Sequence, residues 1–384
     1  MRLAKRVESL PPYVFAELDR KIGKKRAAGI DLISLGIGDP DTPTPRHIVE
    51  ALQEAAEDPA THQYPSYYGM PELRQAIAAW IRERFGVDLD PDSEVQPLIG
   101  SKEGIAHLPV AVVDPGDEVL VPDPGYPVFG IGTLLAGGDV VPVPLTAERR
   151  FLPDLSAAPI SKATKVLWLN YPSNPTAAVA ELSFFEDAVA FAREHDLLIA
   201  HDAAYSELTY DGFTAPSILQ VPGGKDVAVE FGSLSKTYNM TGWRVGWVTG
   251  NPEVVRALAT VKTNIDSGIF NPVQRAAIAA LTGPQEVVDE LRAVYQKRRD
   301  LVVGTLNSLG WDLEAPRGSI YVWLPTKDGM SSAAFCELLL ERARVVLSPG
   351  SGYGAGGEGY ARISLTVSDD RLADAMARIA EALA

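Results

Sequence analysis

Seven short apolar runs punctuate the middle of the chain, and each closes on polar or turn-forming residues: "EVQPLIGS", "DEVLVPDPGY", "GDVVPVPL", "KVLWLNYPSNP", "LLIAHDAAY", "VAVEFGSLS" and "RVGWVTG". A short continuous apolar run bounded by turn signals reads as a strand buried on both faces. Between several of them lie stretches of helical period, such as "LSFFEDAVAFAREHD". That rhythm predicts an α/β fold with a mostly parallel, seven-stranded sheet covered by helices on both faces. After about residue 250 the pattern changes. "QEVVDELRAVYQKRRDLVVGTLNSLG" reads as a long amphipathic helix, followed by "SIYVWLP", a further helix, "RVVLSPG" and "ARISLTVS". This predicts a smaller α+β domain over 281–384, beside a large domain over 46–280. "DLISLGIGDPDTPTP" reads as a segment crossing between them, so 1–45 is expected to pack with the small domain.

The polar residues crowd the C-terminal ends of the predicted strands: Ser101, Tyr126, Asn174, Asp202 and Lys236. In open α/β sheets that edge is where ligands bind. Any one of these residues is an ordinary polar turn. Five of them with complementary chemistry point to a site.

Lys236 lies in "SLSKTYNMTGWRVGW", between hydroxylated residues and eight positions before Arg244. A lysine that reacts at neutral pH needs a dry pocket, commonly to form an imine with a carbonyl. Ser233, Ser235 and Arg244 offer hydroxyls and a forked cation to a phosphate. An aldehyde and a phosphate on one molecule describe pyridoxal 5′-phosphate. Asp202 ends an apolar strand, where a carboxylate is costly without a partner. A pyridinium nitrogen is such a partner, and the carboxylate keeps it protonated. Tyr205 and Asn174 are placed to reach the ring's 3′-oxygen, and Tyr126 to stack on its face. Ser101 and Lys102 open a predicted helix whose free N–H groups suit a phosphate, although Ser101 also suits a plain N-cap. Arg362, on the strand "ARISLTV", either pairs with a carboxylate of the protein or binds one from a substrate; spacing alone does not choose.

Composition narrows the field. Fifty acidic against 35 basic residues give a net charge of −15, which argues against a nucleic-acid partner. The single cysteine, Cys336, excludes an internal disulfide and sits in a helical pattern as a small hydrophobe. No His/Cys cluster suggests a metal, no apolar run is long enough for a membrane span, and the first thirty residues lack a signal-peptide core. A cytoplasmic enzyme is expected. Two tempting motifs fail. "GAGGEG" (354–359) matches G-x-G-x-x-G by letter, but a strand follows where a helix is required, so it reads as a flexible loop. "GSLSKT" resembles the end of a P-loop but has Ser235 where that motif needs glycine.

"SLSKTYNMTGWRVGW", "NYPSNPT", "HDAAYSEL" and "ARISL", in that order, resemble the class I/II aminotransferases of the fold-type-I pyridoxal-phosphate enzymes, over essentially the whole chain. The resemblance implies Lys236 as the cofactor-linked lysine and general acid/base, with Asp202 on the pyridine nitrogen and Tyr205 and Asn174 on the 3′-oxygen. It implies Ser101, Lys102 through its backbone, Ser233, Ser235 and Arg244 on the phosphate, and Arg362 on the substrate α-carboxylate beside the Gly38 backbone. It further implies a homodimer with shared active sites, in which Tyr64 reaches the other subunit's phosphate. "LPPYVFAELDRKI", "GIGDPDTPTP", "QYPSYYGMPELR", "LIGSKEGIAHL" and "KTNIDSGIF" are similar to bacterial LL-diaminopimelate aminotransferases. That subgroup implies LL-2,6-diaminopimelate and 2-oxoglutarate as substrates, with Lys102, Tyr13 and Tyr126 at the distal end and Asn264 helping from the neighbouring subunit. Alanine, aspartate and N-succinyl-diaminopimelate aminotransferases share much of this framework. Two positions depart from the pattern: Ala177 stands where the family usually has glycine, and Gly232 where subgroup members often carry histidine. A lyase or decarboxylase is a rival within the same chemistry, and a cofactor-sensing regulator a rival outside it. Arg362 disfavours decarboxylation, and the lack of a basic DNA-binding segment disfavours the regulator.

Overall fold

The computed structural model describes residues 3–8, 10 and 16–383. Twelve strands are found among them. The first, β1 (Ile33–Ser34), precedes seven that follow in chain order: β2 (Val95–Leu98), β3 (Glu118–Asp123), β4 (Asp139–Pro144), β5 (Thr164–Asn170), β6 (Leu198–Asp202), β7 (Ala228–Ser233) and β8 (Gly246–Gly250). These seven form one sheet in the order β2-β8-β7-β6-β5-β3-β4. Every neighbouring pair is parallel except those of β8, which runs against both β2 and β7. The seven apolar runs of the sequence are these seven strands.

Period-2 alternation divides the side chains of each strand between two cores. On β5, Leu167 and Leu169 face a layer with Ile77, Phe185 and Ile199, while Val166 and Trp168 face the layer of Ile105, Leu108, Phe129 and Phe231. Both layers are apolar because helices cover both faces, which is why these strands read as continuous rather than alternating runs.

The remaining strands, β9 (Tyr321–Pro325), β10 (Val345–Val346), β11 (Ser348–Pro349) and β12 (Tyr360–Ser364), lie in the C-terminal part. β9, β12 and β11 make a three-stranded antiparallel sheet, and β10 pairs in parallel with β1. The 23-residue helix Glu286–Ser308 packs its Tyr295, Val302 and Leu306 onto this sheet. The N-terminal residues join the same layer: Ile22 meets Leu340 and Val346, and Lys25 pairs with Glu341 at 2.7 Å. The 354–359 glycine stretch, expected to be a flexible loop, contains one short 3₁₀ turn, Ala355–Gly357, just after another at Gly350–Tyr353. Asp123 at the end of β3 pins it, accepting the Gly356 N–H at 2.8 Å.

Candidate active site

The C-terminal ends of β5, β6 and β7 stand side by side, with Asn170 in register with Asp202 and Asp202 with Phe231. β7 ends at Ser233, whose hydroxyl oxygen accepts the Ser235 N–H at 3.1 Å and starts the short helix Leu234–Thr237 that carries Lys236. Reversed β8 brings Gly246 opposite Ser233, and so returns Arg244 to the same edge.

Lys236 is largely withdrawn from water, and burial lowers its ammonium from the usual lysine range to about 8. Its Nζ donates to the Gly38 carbonyl. Arg362 and Arg244 lower it further, and Asp39 partly opposes them. Asp202 is 5% exposed. Burial raises its carboxyl to about 6, against a 3.3 Å bond from the Ala204 N–H and the nearby His201. Among the described residues it has no ion-pair partner. A buried carboxylate so weakly satisfied is costly, and a cationic N–H donor would relieve it.

The spacing of Arg362 left open whether a carboxylate of the protein pairs with it. It is 6% exposed, and no protein carboxylate pairs with it among the described residues. Its Nη1 donates to Asn174 Oδ1 at 2.6 Å and its Nη2 to the Gly36 carbonyl at 2.8 Å. The guanidinium lies over the rings of Tyr321 and Tyr353, 4.0 and 4.9 Å from their centroids. Of five guanidinium N–H donors, two are spent on the protein, and Nε is buried with no partner. Three donors remain for a carboxylate, enough for a forked pair.

The helix Ser101–Val112 starts at Gly100, whose φ of 74° suits glycine. A side chain there would overlap the Arg244 guanidinium. The missing side chain therefore lets Arg244 lie against a helix N-terminus, a combination suited to an anion. Ser101 is on its first turn, with Ser233 and Ser235 buried nearby in the fold. Lys102 is exposed on the same turn.

Tyr126 is mostly buried, edge-on to Phe129 at 5.6 Å, and the charges of Asp202, Arg244 and Arg362 all act on its phenol. Tyr205 exchanges a 3.0 Å hydrogen bond with Tyr321, whose hydroxyl occupies the space where a side chain on Gly38 would project. Asn174 accepts from Arg362 through Oδ1, which leaves its amide N–H groups as donors. Tyr64 is 86% exposed in the single chain, and Asn264 is exposed as well. Tyr13 lies outside the described residues. Ala177 does have the left-handed backbone of a glycine position, at φ 57°.

Three contributors escaped the sequence reading. Asn170 donates to the Asp202 carbonyl and accepts the Asn174 N–H, both at 2.8 Å, so one amide ties two site residues together. Its place at the end of an apolar strand was a usable signal. Tyr321 and Tyr353, which sandwich Arg362, look in sequence like any core aromatics.

The structure thus sets a buried lysine with a lowered pKa, a buried carboxylate without an ion-pair partner, an arginine against a helix N-terminus and an arginine with three uncommitted N–H groups in one region of the fold. The family described as aminotransferase class I and II matches residues 30–379, and the chain belongs to it. More particularly, it is 56% identical over its full length to the LL-diaminopimelate aminotransferase of Moorella thermoacetica, covering 99% of that protein. It is 58% identical to the enzyme of the same name from Desulforudis audaxviator, over 98% of this chain and 96% of that one. Among solved structures, it superposes on a probable N-succinyldiaminopimelate aminotransferase from Thermus thermophilus with a TM-score of 0.91 and 40% identity, over 96% of this chain and all of that one. Substrate-bound BacF from Bacillus subtilis gives 0.93 at 36% identity, over 99% and 98%. The protein is thus an aminotransferase with the fold-type-I architecture. No helix among the described residues is long and apolar enough to cross a membrane.

Proposed function

We propose that this aminotransferase uses pyridoxal 5′-phosphate to move an amino group from LL-2,6-diaminopimelate to 2-oxoglutarate, as a cytoplasmic homodimer in lysine biosynthesis. The observation that carries the chemistry is the meeting of Lys236, Asp202 and the uncommitted fork of Arg362 at one sheet edge. The substrate assignment rests on full-length relatives of that name at 56% and 58% identity.

The residues fit the cofactor. Asp202 holds the ring nitrogen and gains the cationic donor it lacks, Tyr205 and Asn174 donate to the ring oxygen, and Tyr126 lies against the ring. Ser101, Ser233, Ser235, Arg244 and the first N–H groups of the helix at Ser101 and Lys102 hold the phosphate. When bound, the cofactor supplies an aldehyde carbon and a ring that withdraws electrons from the bonds at the substrate's α-carbon.

Arg362 fixes the α-carboxylate, and so presents the Cα–H to Lys236. Lys236, poised near neutrality, would take the proton from Cα as a neutral amine and hold it as an ammonium beside the reacting atoms. The Gly38 carbonyl that now receives Nζ orients this amine. Lys102, Tyr13 and Tyr126 receive the distal end of the substrate, with Asn264 and Tyr64 reaching across from a second subunit. Residues 46–280 act as the cofactor-binding domain, with 1–45 and 281–384 bringing Gly38 and Arg362 to it.

The test is the absorbance spectrum of the purified protein loaded with pyridoxal phosphate, followed through additions of amino donors. A cofactor band at the visible edge that bleaches with LL-diaminopimelate and barely with alanine or aspartate is expected. Bleaching by alanine or aspartate alone discards the substrate assignment, and failure to take up the cofactor discards the whole reading.

A further inference from the structure

On a strand, successive side chains point to opposite faces. The residue before Asp202 is therefore turned away from the site, into the layer beneath the helix Leu182–His195. That residue is His201, fully buried and packed on the Phe185 ring at 4.8 Å. In the neighbouring strand β7 its register partner is Glu230, also buried.

The two are joined by a 2.9 Å contact between His201 Nδ1 and Glu230 Oε2, and the other ring nitrogen lies 3.2 Å from the Tyr171 carbonyl. A carbonyl oxygen only accepts, so Nε2 must carry hydrogen. On the other side, Ser217 Oγ donates to Glu230 Oε1 at 2.8 Å and the Ile218 N–H donates to Oε2 at 3.1 Å. These two donors converging on one carboxyl favour its ionised form. Nδ1 must then be a donor too, which leaves the ring doubly protonated. Charge accounting agrees. Glu230 has no lysine or arginine partner among the described residues, and a buried carboxylate without a cation is costly. The groups that face the imidazole are Glu230 on β7, the Tyr171 carbonyl just past the end of β5 and the Phe185 ring on the covering helix, while Asp202, next on its own strand, projects from the opposite face.

We propose that His201 is a resident imidazolium, locked by Glu230 behind the sheet, whose charge keeps Asp202 ionised on the opposite face. Asp202 is the residue at issue because burial pushes its carboxyl up, and beyond the Ala204 N–H, which opposes this more, His201 is the charged group that acts against it. The Ser217–Glu230–His201 chain thus acts as a positioning unit one layer removed from the substrate. It is not a nucleophilic triad, since Ser217 donates to the glutamate rather than to the histidine. The assignment of a purpose to Asp202 rests on the cofactor reading above; the protonation state of His201 does not.

Two measurements on the cofactor-loaded protein test this. The first is ¹⁵N NMR of the imidazole nitrogens at pH 7–8, with His201 assigned among five histidines by its loss in His201→Gln. Both nitrogens are expected in the protonated position, and a neutral ring overturns the proposal whatever the cofactor content. The second is the pH profile of kcat/KM for wild type, His201→Gln, Glu230→Gln and the milder Ser217→Ala. His201→Gln, which removes the positive charge and leaves Glu230 unpaired, is expected to move the acidic limb up by about one pH unit. Ser217→Ala should move it by less. A merely structural role lowers activity evenly across pH, so an unmoved limb in all three variants overturns the tuning role even if the imidazolium is present. Protein that never binds pyridoxal phosphate sinks the cofactor reading instead, and leaves the NMR result standing.

Discussion

Arg362→Lys is the substitution on which the geometry speaks most directly. It keeps the positive charge and removes the fork. In the wild type, one nitrogen holds Asn174 Oδ1 at 2.6 Å, a second holds the Gly36 carbonyl at 2.8 Å, and three N–H groups stay available. A lysine's three donors radiate from one nitrogen, so it cannot span Asn174 and Gly36 and still offer a substrate carboxylate a planar two-pronged pair. Losing one of two charge-assisted bonds to the carboxylate costs about 1.5–3 kcal/mol. Leaving Asn174 Oδ1 buried without its donor adds about 1 kcal/mol or more. The sum is about 3 kcal/mol, on the order of a hundredfold in kcat/KM. The assay compares each amino donor with a primary amine lacking the α-carboxylate. The variant should lose about a hundredfold on every amino acid and little on the amine, so discrimination between the two collapses. A loss below about fivefold on amino acids, or an equal loss on the amine, refutes the carboxylate-clamp argument. It would then leave Arg362 as a scaffold for Tyr321 and Tyr353.

Four more outcomes follow from the same part of the sheet. Lys236→Ala should abolish turnover and the lysine-linked absorbance band; appreciable steady-state activity sinks the assignment. In wild-type apoprotein the rate of cofactor capture should rise with pH around a midpoint of about 8, because the lowered pKa makes the neutral, nucleophilic amine accessible there. Asp202 has its folded pKa raised from 3.8 to about 6, so its contribution to apoprotein stability is full below pH 4 and lost as pH rises through 6. Asp202→Asn should therefore stabilise apoprotein by on the order of 3 kcal/mol at pH 7.5 and not at pH 3.5, measured by denaturant unfolding, while weakening cofactor binding. Finally, a side chain at Gly232 would overlap the indole of Trp247, its register partner on β8. Gly232→His should cost more than about 2 kcal/mol, and adding Trp247→Val should recover part of it; an undisturbed melting temperature in the single variant would contradict this packing.

What the sequence made legible, and what it hid, divides along physical lines. A polar residue at or just after the end of a buried apolar run has few reasons to be there, so Asp202, Asn174 and Lys236 stood out as candidates from the letters alone. Ala177 was legible too, because the NPT turn needs a left-handed residue and the structure gives it φ 57°. A buried tyrosine that supports an arginine looks no different in sequence from one that fills a core, which is why Tyr321 and Tyr353 stayed hidden. Gly232 carried a signal without an explanation, since its meaning depends on which strand is reversed. The apolar runs predict a mostly parallel sheet and do not say that β8 is the exception. That one reversal sets Trp247 against Gly232 and brings Arg244 to the helix N-terminus at Gly100. The pair His201 and Glu230 shows the same limit from the other side. The letters "HD" place a histidine next to the site, but only the pleat turns it to the far face, and only strand order supplies a carboxylate 29 positions later in the chain to meet it. Chemistry that ends a strand is therefore readable in one dimension, whereas the charges that tune it from behind the sheet become readable only when register is known.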